Sequence, residues 1–396
     1  MGNLRSLFQL LGRVMPTFAT VSREITAFGA QLDEAMCANP ERFWEALRAT
    51  SIPYIPTYFR SEPDQGHRLA SAALREIGRK NIGLGYALEN HLFVVGGMET
   101  YLSLHPNELL RSLLDQACEL RQFIANTHGY VHADRAFSEG LSVRRAPGGL
   151  FIDGQGTFLS LAGTADWLLL LLDGTESVAL FFPIKGDASI RLGGLSFPKI
   201  LVESDTRGLR CEGTFVPQEL NLPIPPEHLA SGGAFATSVL AWHLSLCACQ
   251  FLGGVSHLVD HTLHFARKFK SFDNRPLERL DGVVAEIGQI GLRVGAIEAM
   301  IGEVSRALAI TPPAGNGSFL PELLFRAQVA NHLGMELIEE VSRRCRRILG
   351  TRLFSSGAAP FDRITTELLL GPLVPRNNSL LERDVGHALL ARELAP

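Results

Sequence analysis

The stretch LERLDGVVAEIGQIGLRVGAIEAMIGEVSRAL, residues 277–308, decides the fold class. Its apolar residues recur in steps of three and four along the whole stretch, which is the period of an α-helix with one buried face. A periodic helix of this length is typical of a helical bundle. We therefore expect a core-facing bundle helix here, with further helices at about 234–269, 320–349 and 379–393.

The residues before this bundle follow two other patterns. The first 124 residues again have helical periodicity, whereas short β-like runs separated by turn pairs such as Asp153-Gly154 follow up to residue 226. The predicted strands are Leu150–Ile152, Thr157–Leu161, Trp167–Leu172, Val178–Ile184, Lys199–Val202 and Gly213–Val216. The sequence therefore predicts an α+β chain with an all-α domain over 1–124, a β domain over 125–226 and a helical bundle over 227–396.

Composition excludes several classes of function. Hydrophobic residues make up 46% of the 396 residues and charged residues 20%, which is enough for a large core. The net charge of −4, with acids and bases mixed, predicts no nucleic-acid surface. The longest aliphatic run, Leu168–Leu172, is far shorter than the roughly 20 residues of a membrane span. Six scattered cysteines are typical of a reducing compartment, so we expect a cytoplasmic protein.

Other chemical motifs are weak or absent. His257, Asp260, His261 and His264 have a spacing that can bind a metal ion, but a solvated polar helix face explains the same spacing. We therefore predict no metal site. The sequence also has no Gly-x-Gly-x-x-Gly dinucleotide motif and no Gly-x-Ser-x-Gly nucleophile motif.

Four segments, in chain order, resemble the acyl-CoA dehydrogenase family. They are GQGTFLSLAGTADWLLLL (154–171), ESDTRGLRCEGTFVPQELNL (203–222), CQFLGGVSHLVDHTLHFARKFKSFDNRPLERLDGVV (249–284) and RRILGTRLFSSGAAPFDRI (346–364). The resemblance implies an N-terminal helical domain, a middle β-barrel domain and a C-terminal four-helix bundle. It further implies an FAD-dependent oxidoreductase that acts on an acyl thioester, of CoA or of an acyl carrier protein, as a homodimer or homotetramer.

The resemblance also assigns residues to a flavin site. The segment from Thr127 to Asp134 lines up with the family's flavin loop, which implies that Thr127, His128 and Tyr130 contact the cofactor. Phe158 keeps an aromatic wall beside the flavin ring, and Ser160 keeps a hydroxyl that could reach flavin N5. The loop loses two glycines and a serine, and Tyr130 is bulkier, so we expect a reshaped pocket.

The usual catalytic residues depart from the family pattern. Phe269 stands where the family has an arginine that holds FAD, and Pro375 aligns with the catalytic glutamate. Some members place the base on the first bundle helix instead, and His243 occupies that position. His243 lies among apolar residues, and a neutral imidazole with an ordinary pKa near 6.5 could act as the base. The alternative is a core histidine with one hydrogen-bond partner and no chemistry.

Three functions remain open from the sequence. The first is α,β-oxidation of an acyl thioester in a biosynthetic pathway, with His243 as the base. The second is a protein of the same fold that binds or transforms an acyl thioester without flavin redox chemistry. The third is a monooxygenase that uses reduced flavin and dioxygen.

Overall fold

A computed structural model describes residues 15–126, 140–172, 178–230, 232–310, 319–350, 359–374, 381–383, 385–387 and 390. In these residues the α-helices are α1 (Phe18–Gln31), α2 (Glu34–Cys37), α3 (Pro40–Arg48), α4 (Ile55–Tyr58), α5 (Pro63–Lys80), α6 (Ile82–Leu104), α7 (Glu108–Glu119), α8 (Pro226–Leu229), α9 (Ala234–Lys268), α10 (Asp281–Leu308), α11 (Phe319–Leu349) and α12 (Ala359–Leu368). The strands are β1 (Ile124–Asn126), β2 (Ser142–Ala146), β3 (Gly149–Leu159), β4 (Trp167–Leu172), β5 (Val178–Pro183), β6 (Ile190–Leu195), β7 (Arg207–Pro217) and β8 (Asn221–Leu222).

The order of helices, strands and helices confirms the α+β fold class. In the described residues, helices precede β1, no α-helix lies between β1 and β8, and the remaining helices follow β8. The exact domain boundaries at 124 and 226 stay a prediction.

The strands form two four-stranded sheets. One sheet has the order β1-β4-β5-β8 and the other β2-β3-β7-β6. β1 and β4 are parallel, whereas the other described pairs are antiparallel. The prediction of a strand at Lys199–Val202 was wrong, because Leu201 has a left-handed backbone and Val202–Ser204 form a 3₁₀ turn.

Two long apolar helices, α6 and α9, pack against each other at very short range. Almost every residue of α6 is buried, and the Asn81 side chain caps the start of that helix by accepting the Leu84 N–H. Glycines allow the close approach, because a Cβ on Gly96 would lie 2.3 Å from the Trp242 ring. We call this contact between α6 and α9 the helix interface.

The helix predicted from residues 277–308 is present, but its core-facing stripe is only half correct. Ile290, Ile297 and Val304 are buried, as the periodicity indicates. In the first half, however, Val284 is 51% exposed, and Val283 and Ile287 are only partly buried. The fourth predicted bundle helix, at about 379–393, lies largely outside the described residues.

Among the described residues, one stretch, Pro226–Lys268, which contains α8 and α9, is long and apolar enough to cross a membrane by length and composition. Its most apolar window is 94% buried inside the fold. A helix at the centre of a core needs the same apolar composition, so the stretch is explained by its packing.

Candidate functional site

His243, the residue predicted as the base, lies in the helix interface. Its side chain is 1% exposed, and its Nδ1 atom is 2.8 Å from Glu89 Oε1 on α6. The Phe93 ring packs against the imidazole with the ring centroids 4.2 Å apart. The helix interface therefore contains a polar pair inside an apolar environment.

Burial favours the uncharged form of both members of this pair. It raises the pKa of Glu89 well above its ordinary value and lowers the pKa of His243 to about 3. One hydrogen bond between a protonated carboxyl group and a neutral imidazole joins the pair, whereas Glu89 Oε2 accepts no hydrogen bond from a residue that the structure describes. An imidazole whose pKa is this low is a weak proton acceptor, and its catalytic role stays a prediction.

Side chains of α6 bind the backbone of β1, the edge strand of its sheet. Asn126 donates its N–H to Asn90 Oδ1 at 3.1 Å, and Ile124 donates its N–H to His91 Nδ1 at 3.0 Å. His91 Nε2 in turn lies 2.9 Å from the carbonyl oxygen of Pro53, so it carries the ring proton and donates it. These contacts fix the backbone of β1 against α6. Thr127, His128 and Tyr130, which follow it, lie outside the described residues.

Backbone strain concentrates where β3 ends and β7 begins. Four non-glycine residues have a left-handed backbone here: Phe158 (φ 57°), Leu161 (φ 62°), Leu201 (φ 50°) and Asp205 (φ 46°). The pairing of β3 with β7 also shifts register between Gly156 and Leu159. Such residues are uncommon and cluster at functional sites. We call residues 158–161 and 201–206 together the strand junction.

The strand junction contains a chain of three buried hydroxyl groups. Ser160 Oγ lies 2.9 Å from Thr206 Oγ1, which lies 2.7 Å from Ser204 Oγ. Each hydroxyl has one proton to donate, so the protons of the chain can be arranged in more than one way. When Thr206 donates to Ser160, the Ser160 proton is available to a ligand. The predicted role of Ser160 is thus compatible with its position, although the side chain is buried.

Phe158 also belongs to the strand junction. Its ring is half-buried and lies 5.7 Å from the ring of Phe197, centroid to centroid, with 30° between the ring planes. The structure therefore brings Phe158 and Ser160 together at one place. His243 belongs instead to the helix interface.

Arg363 on α12 links the strand junction to the start of α6 through its side-chain contacts. Arg363 binds both carboxylate oxygens of Glu203 and lies 2.9 Å from Glu367 Oε1 and 3.3 Å from Asn81 Oδ1. Glu367 Oε1 also accepts the Leu201 N–H at 3.2 Å. A guanidinium group that binds several partners at once is held in one orientation more firmly than the guanidinium group of a single surface ion pair.

Sequence reasoning missed these supporting residues. The i,i+4 spacing of Arg363 and Glu367 could have predicted an ion pair along a helix. No local signal linked Arg363 to Glu203, which lies 160 positions away. Asn90 and His91 were also missed, because their partners are backbone N–H groups.

Of the two residues that depart from the family pattern, the structure describes Phe269 but not Pro375. Phe269, which follows α9, stacks on Phe265 with the ring centroids 4.5 Å apart. Pro375 lies outside the described residues.

Comparisons with solved structures identify the fold. FMN-bound dibenzothiophene monooxygenase TdsC from Paenibacillus sp. A11-2 matches with a TM-score of 0.78 at 18% identity, over 95% of this chain and 97% of that one. Butyryl-CoA dehydrogenase from Megasphaera elsdenii matches with a TM-score of 0.77 at 15% identity, over 94% and 98%. Glutaryl-CoA dehydrogenase bound to glutaryl-CoA matches with a TM-score of 0.76 at 17% identity, over 94% and 95%.

The chain is thus a divergent protein of the acyl-CoA dehydrogenase fold, as the resemblance implied. No protein-family model matches its sequence, and a comparison with curated proteins finds no match either. The same fold carries a monooxygenase and two dehydrogenases among these structures, so the fold alone does not decide between the two reactions.

Proposed function

We propose that this chain is a flavin-dependent monooxygenase that holds reduced flavin at the strand junction. FMN-bound TdsC has the same fold over most of this chain, which supports a flavin cofactor here. Reduced flavin supplies the two electrons that convert dioxygen into one inserted oxygen atom and one water molecule.

The residues of the strand junction fit a flavin ring in their chemistry. Phe158 offers a half-buried aromatic face, and Ser160 offers a hydroxyl proton when Thr206 donates to it. Thr206 and Ser204 would orient that proton. The buried surroundings exclude water, which strengthens a hydrogen bond to a polar edge of the ring.

The choice of oxygenation over dehydrogenation rests on the carboxylates that the structure describes at the strand junction, because each of them already has a cationic partner. Removal of a proton next to a thioester carbonyl needs a base within hydrogen-bond reach of that proton. At the strand junction, each carboxylate that the structure describes already has a cationic partner: Glu203 and Glu367 bind Arg363, and Asp205 binds Arg207. Oxygenation by reduced flavin needs no such base.

The first experiment is a titration of the purified protein with FMN and with FAD, followed by flavin absorbance near 450 nm. We expect binding of one flavin at micromolar affinity or tighter. Failure to bind either flavin would overturn the proposal and favour a thioester-binding protein without redox chemistry.

The second experiment separates oxygenation from dehydrogenation. The protein is supplied with chemically reduced flavin, dioxygen and a panel of aromatic heterocycles, and products are analysed by mass spectrometry. We expect a product that has gained one oxygen atom. A matched reaction without protein controls for oxidation by free reduced flavin.

The alternative is oxidation of an acyl thioester, with His243 as base and FAD as cofactor. The segments around 154–171 and 249–284, which resemble the dehydrogenases, favour it. In this case an acyl-CoA should bleach the bound oxidised flavin in the absence of dioxygen. Bleaching without an oxygenated product would replace our proposal by this one. An acyl carrier protein thioester is the second substrate to try.

A further inference from the structure

One side of helix α10 is apolar and has no partner among the residues that the structure describes. The helix buries Ile290, Ile297 and Val304 on its other side. On the side away from this core, Leu292 is 71% exposed and Val284 is 51% exposed. Large apolar side chains exposed in one stripe mark an interaction surface. We define the outer face of α10 as the exposed residues Val284, Gly288, Gly291, Leu292, Gly295 and Ala299.

The glycines of the outer face are not explained by contacts within the described residues. A glycine inside a helix costs about 1 kcal/mol relative to alanine. At the helix interface close packing offsets that cost, because a Cβ on Gly96 would lie 2.3 Å from the Trp242 ring. A Cβ on Gly288, Gly291 or Gly295, however, would meet no described atom within 4 Å. Close approach of another surface would explain these three glycines.

The outer face is symmetric about its midpoint, which lies between Gly291 and Leu292. Gly288 and Gly295 are equally far from that midpoint, and so are Val284 and Ala299. A two-fold axis places a surface against the same surface of a second copy, so each position must suit its symmetric counterpart. Two antiparallel copies of α10 would set Gly288 against the partner's Gly295 and bring the two Leu292 side chains together at the axis.

The charges at the two ends of the outer face favour the same arrangement. Asp281, in the first turn of α10, is exposed. At the other end, Arg306 Nη1 lies 3.8 Å from the place of a Cβ on Gly302, and the nearby Glu303 is already paired with Arg326. Asp281 and Gly302 are equally far from the midpoint, so antiparallel pairing places Asp281 beside the partner's Arg306. Parallel pairing would place like charges together.

We propose that the outer face of α10 binds the same face of a second copy of this chain in an antiparallel, two-fold symmetric contact. Burial of Leu292 and Val284 drives the association, and the glycines allow the two helices to approach closely. This contact assigns a surface to the homo-oligomer that the family resemblance implied. It uses no residue of the strand junction, so it stands or falls independently of the proposed function.

Analytical ultracentrifugation of the full chain over a range of concentrations tests the contact. We expect the native chain to associate in pairs, and Leu292→Arg to raise the dissociation constant of the pair at least about tenfold. Leu120→Arg is the matched control, because Leu120 is 55% exposed at the end of α7, and it should associate like the native chain. A native chain that stays monomeric at every concentration, or full association of Leu292→Arg, would overturn the proposal.

Disulfide cross-linking tests the antiparallel register. The native cysteines are buried, so they give little background. Mild oxidation of Leu292→Cys should yield a covalent dimer, because the two thiols meet at the two-fold axis. Val284→Cys alone should stay uncross-linked, whereas Val284→Cys combined with Ala299→Cys should give the dimer. Those two positions lie about 22 Å apart along one helix and cannot bond within a chain.

Two cross-linking results would overturn the proposal even if Leu292→Arg does not fold. One is the absence of a covalent dimer from Leu292→Cys. The other is a dimer formed by Val284→Cys alone, which indicates parallel helices.

Gly288→Ala separates the contact from the stability of a single chain. The added Cβ favours the helix when the protein is dilute enough to be monomeric. In the dimer it presses against the partner's Gly295, so we expect the dissociation constant to rise about tenfold. An unchanged dissociation constant would contradict the close approach of the two helices.

Discussion

The helix interface and the strand junction both bury polar groups, but they do so in opposite ways. At the helix interface, glycines bring two helices close together, and one uncharged pair, Glu89 and His243, bridges them. At the strand junction, four non-glycine residues have a left-handed backbone, and three hydroxyl groups form a hydrogen-bonded chain. Arg363 on α12 binds Glu203 of this junction.

The difference separates a structural polar pair from a candidate reaction site. Close packing and neutral forms are what a core needs in order to bury polar groups at low cost. Strained backbone and hydroxyl groups with alternative proton positions cost stability and are kept where they serve a ligand. We therefore propose that the helix interface serves stability and that the strand junction serves chemistry.

The largest effect is expected from a methyl group in the helix interface. Gly96→Ala places a Cβ 2.3 Å from the Trp242 ring, so the helices must separate. We expect a loss of about 3 kcal/mol of unfolding free energy, measured by urea denaturation. Gly288→Ala on α10 is the matched control, because no atom lies within 4 Å of its added Cβ. It should stabilise the protein by up to about 1 kcal/mol. Equal behaviour of the two variants would contradict the packing account.

A smaller effect is expected from the pH dependence of stability. The pKa of His243 is about 3 in the folded chain, below its unfolded value near 6.5. The unfolded chain therefore binds the extra proton as the pH falls below 6.5, and stability decreases. Between pH 6.5 and 5 this one group should cost about 2 kcal/mol.

His243→Gln removes that contribution while it keeps a hydrogen-bonding side chain next to Glu89. Glu89, which is held protonated in the folded chain, contributes with the opposite sign in both proteins, so the difference between them is the quantity to measure. Between pH 6.5 and 5 the variant should gain about 2 kcal/mol of unfolding free energy relative to the native chain. Identical pH profiles would show that His243 is not held in its uncharged form.

Loss of the arginine that fastens the strand junction should act on ligand binding. Arg363→Met leaves Glu203 and Glu367 without their cation and frees the turn that carries Ser204. We expect flavin to bind about tenfold more weakly, a loss of about 1.4 kcal/mol, in an absorbance titration.

The control for this change is Arg343→Met. Arg343 pairs with Glu340 one turn away on the surface of α11. An exposed pair of this kind is worth about 0.5 kcal/mol or less, and flavin binding should be unchanged. If both variants bind flavin as the native chain does, Arg363 does not support the site.

The sequence predicted the fold far better than the site. Apolar periodicity and hairpin turns are local, so the order of helices, strands and bundle followed from them. His243 stood out because it is a polar residue in an apolar helix, and that signal is the same for a base and for a buried core histidine. The hydrogen-bond partner of His243, Glu89, lies 154 positions away.

Only part of the strand junction could be predicted from the sequence. Phe158 and Ser160 came from the family resemblance, whereas Thr206 and Arg363 join them through contacts between distant segments. The left-handed backbone of Leu201 and Asp205 had no signal in the sequence, because neither residue type favours it strongly enough to be read locally.

The most direct test compares Ser160→Ala with His243→Gln in the reduced-flavin reaction, with flavin binding and oxygenated product measured together. Our account predicts that Ser160→Ala lowers product formation at least about tenfold, whereas His243→Gln stays close to the native chain at neutral pH. The opposite result, with product lost in His243→Gln and retained in Ser160→Ala, would contradict it and place the chemistry in the helix interface.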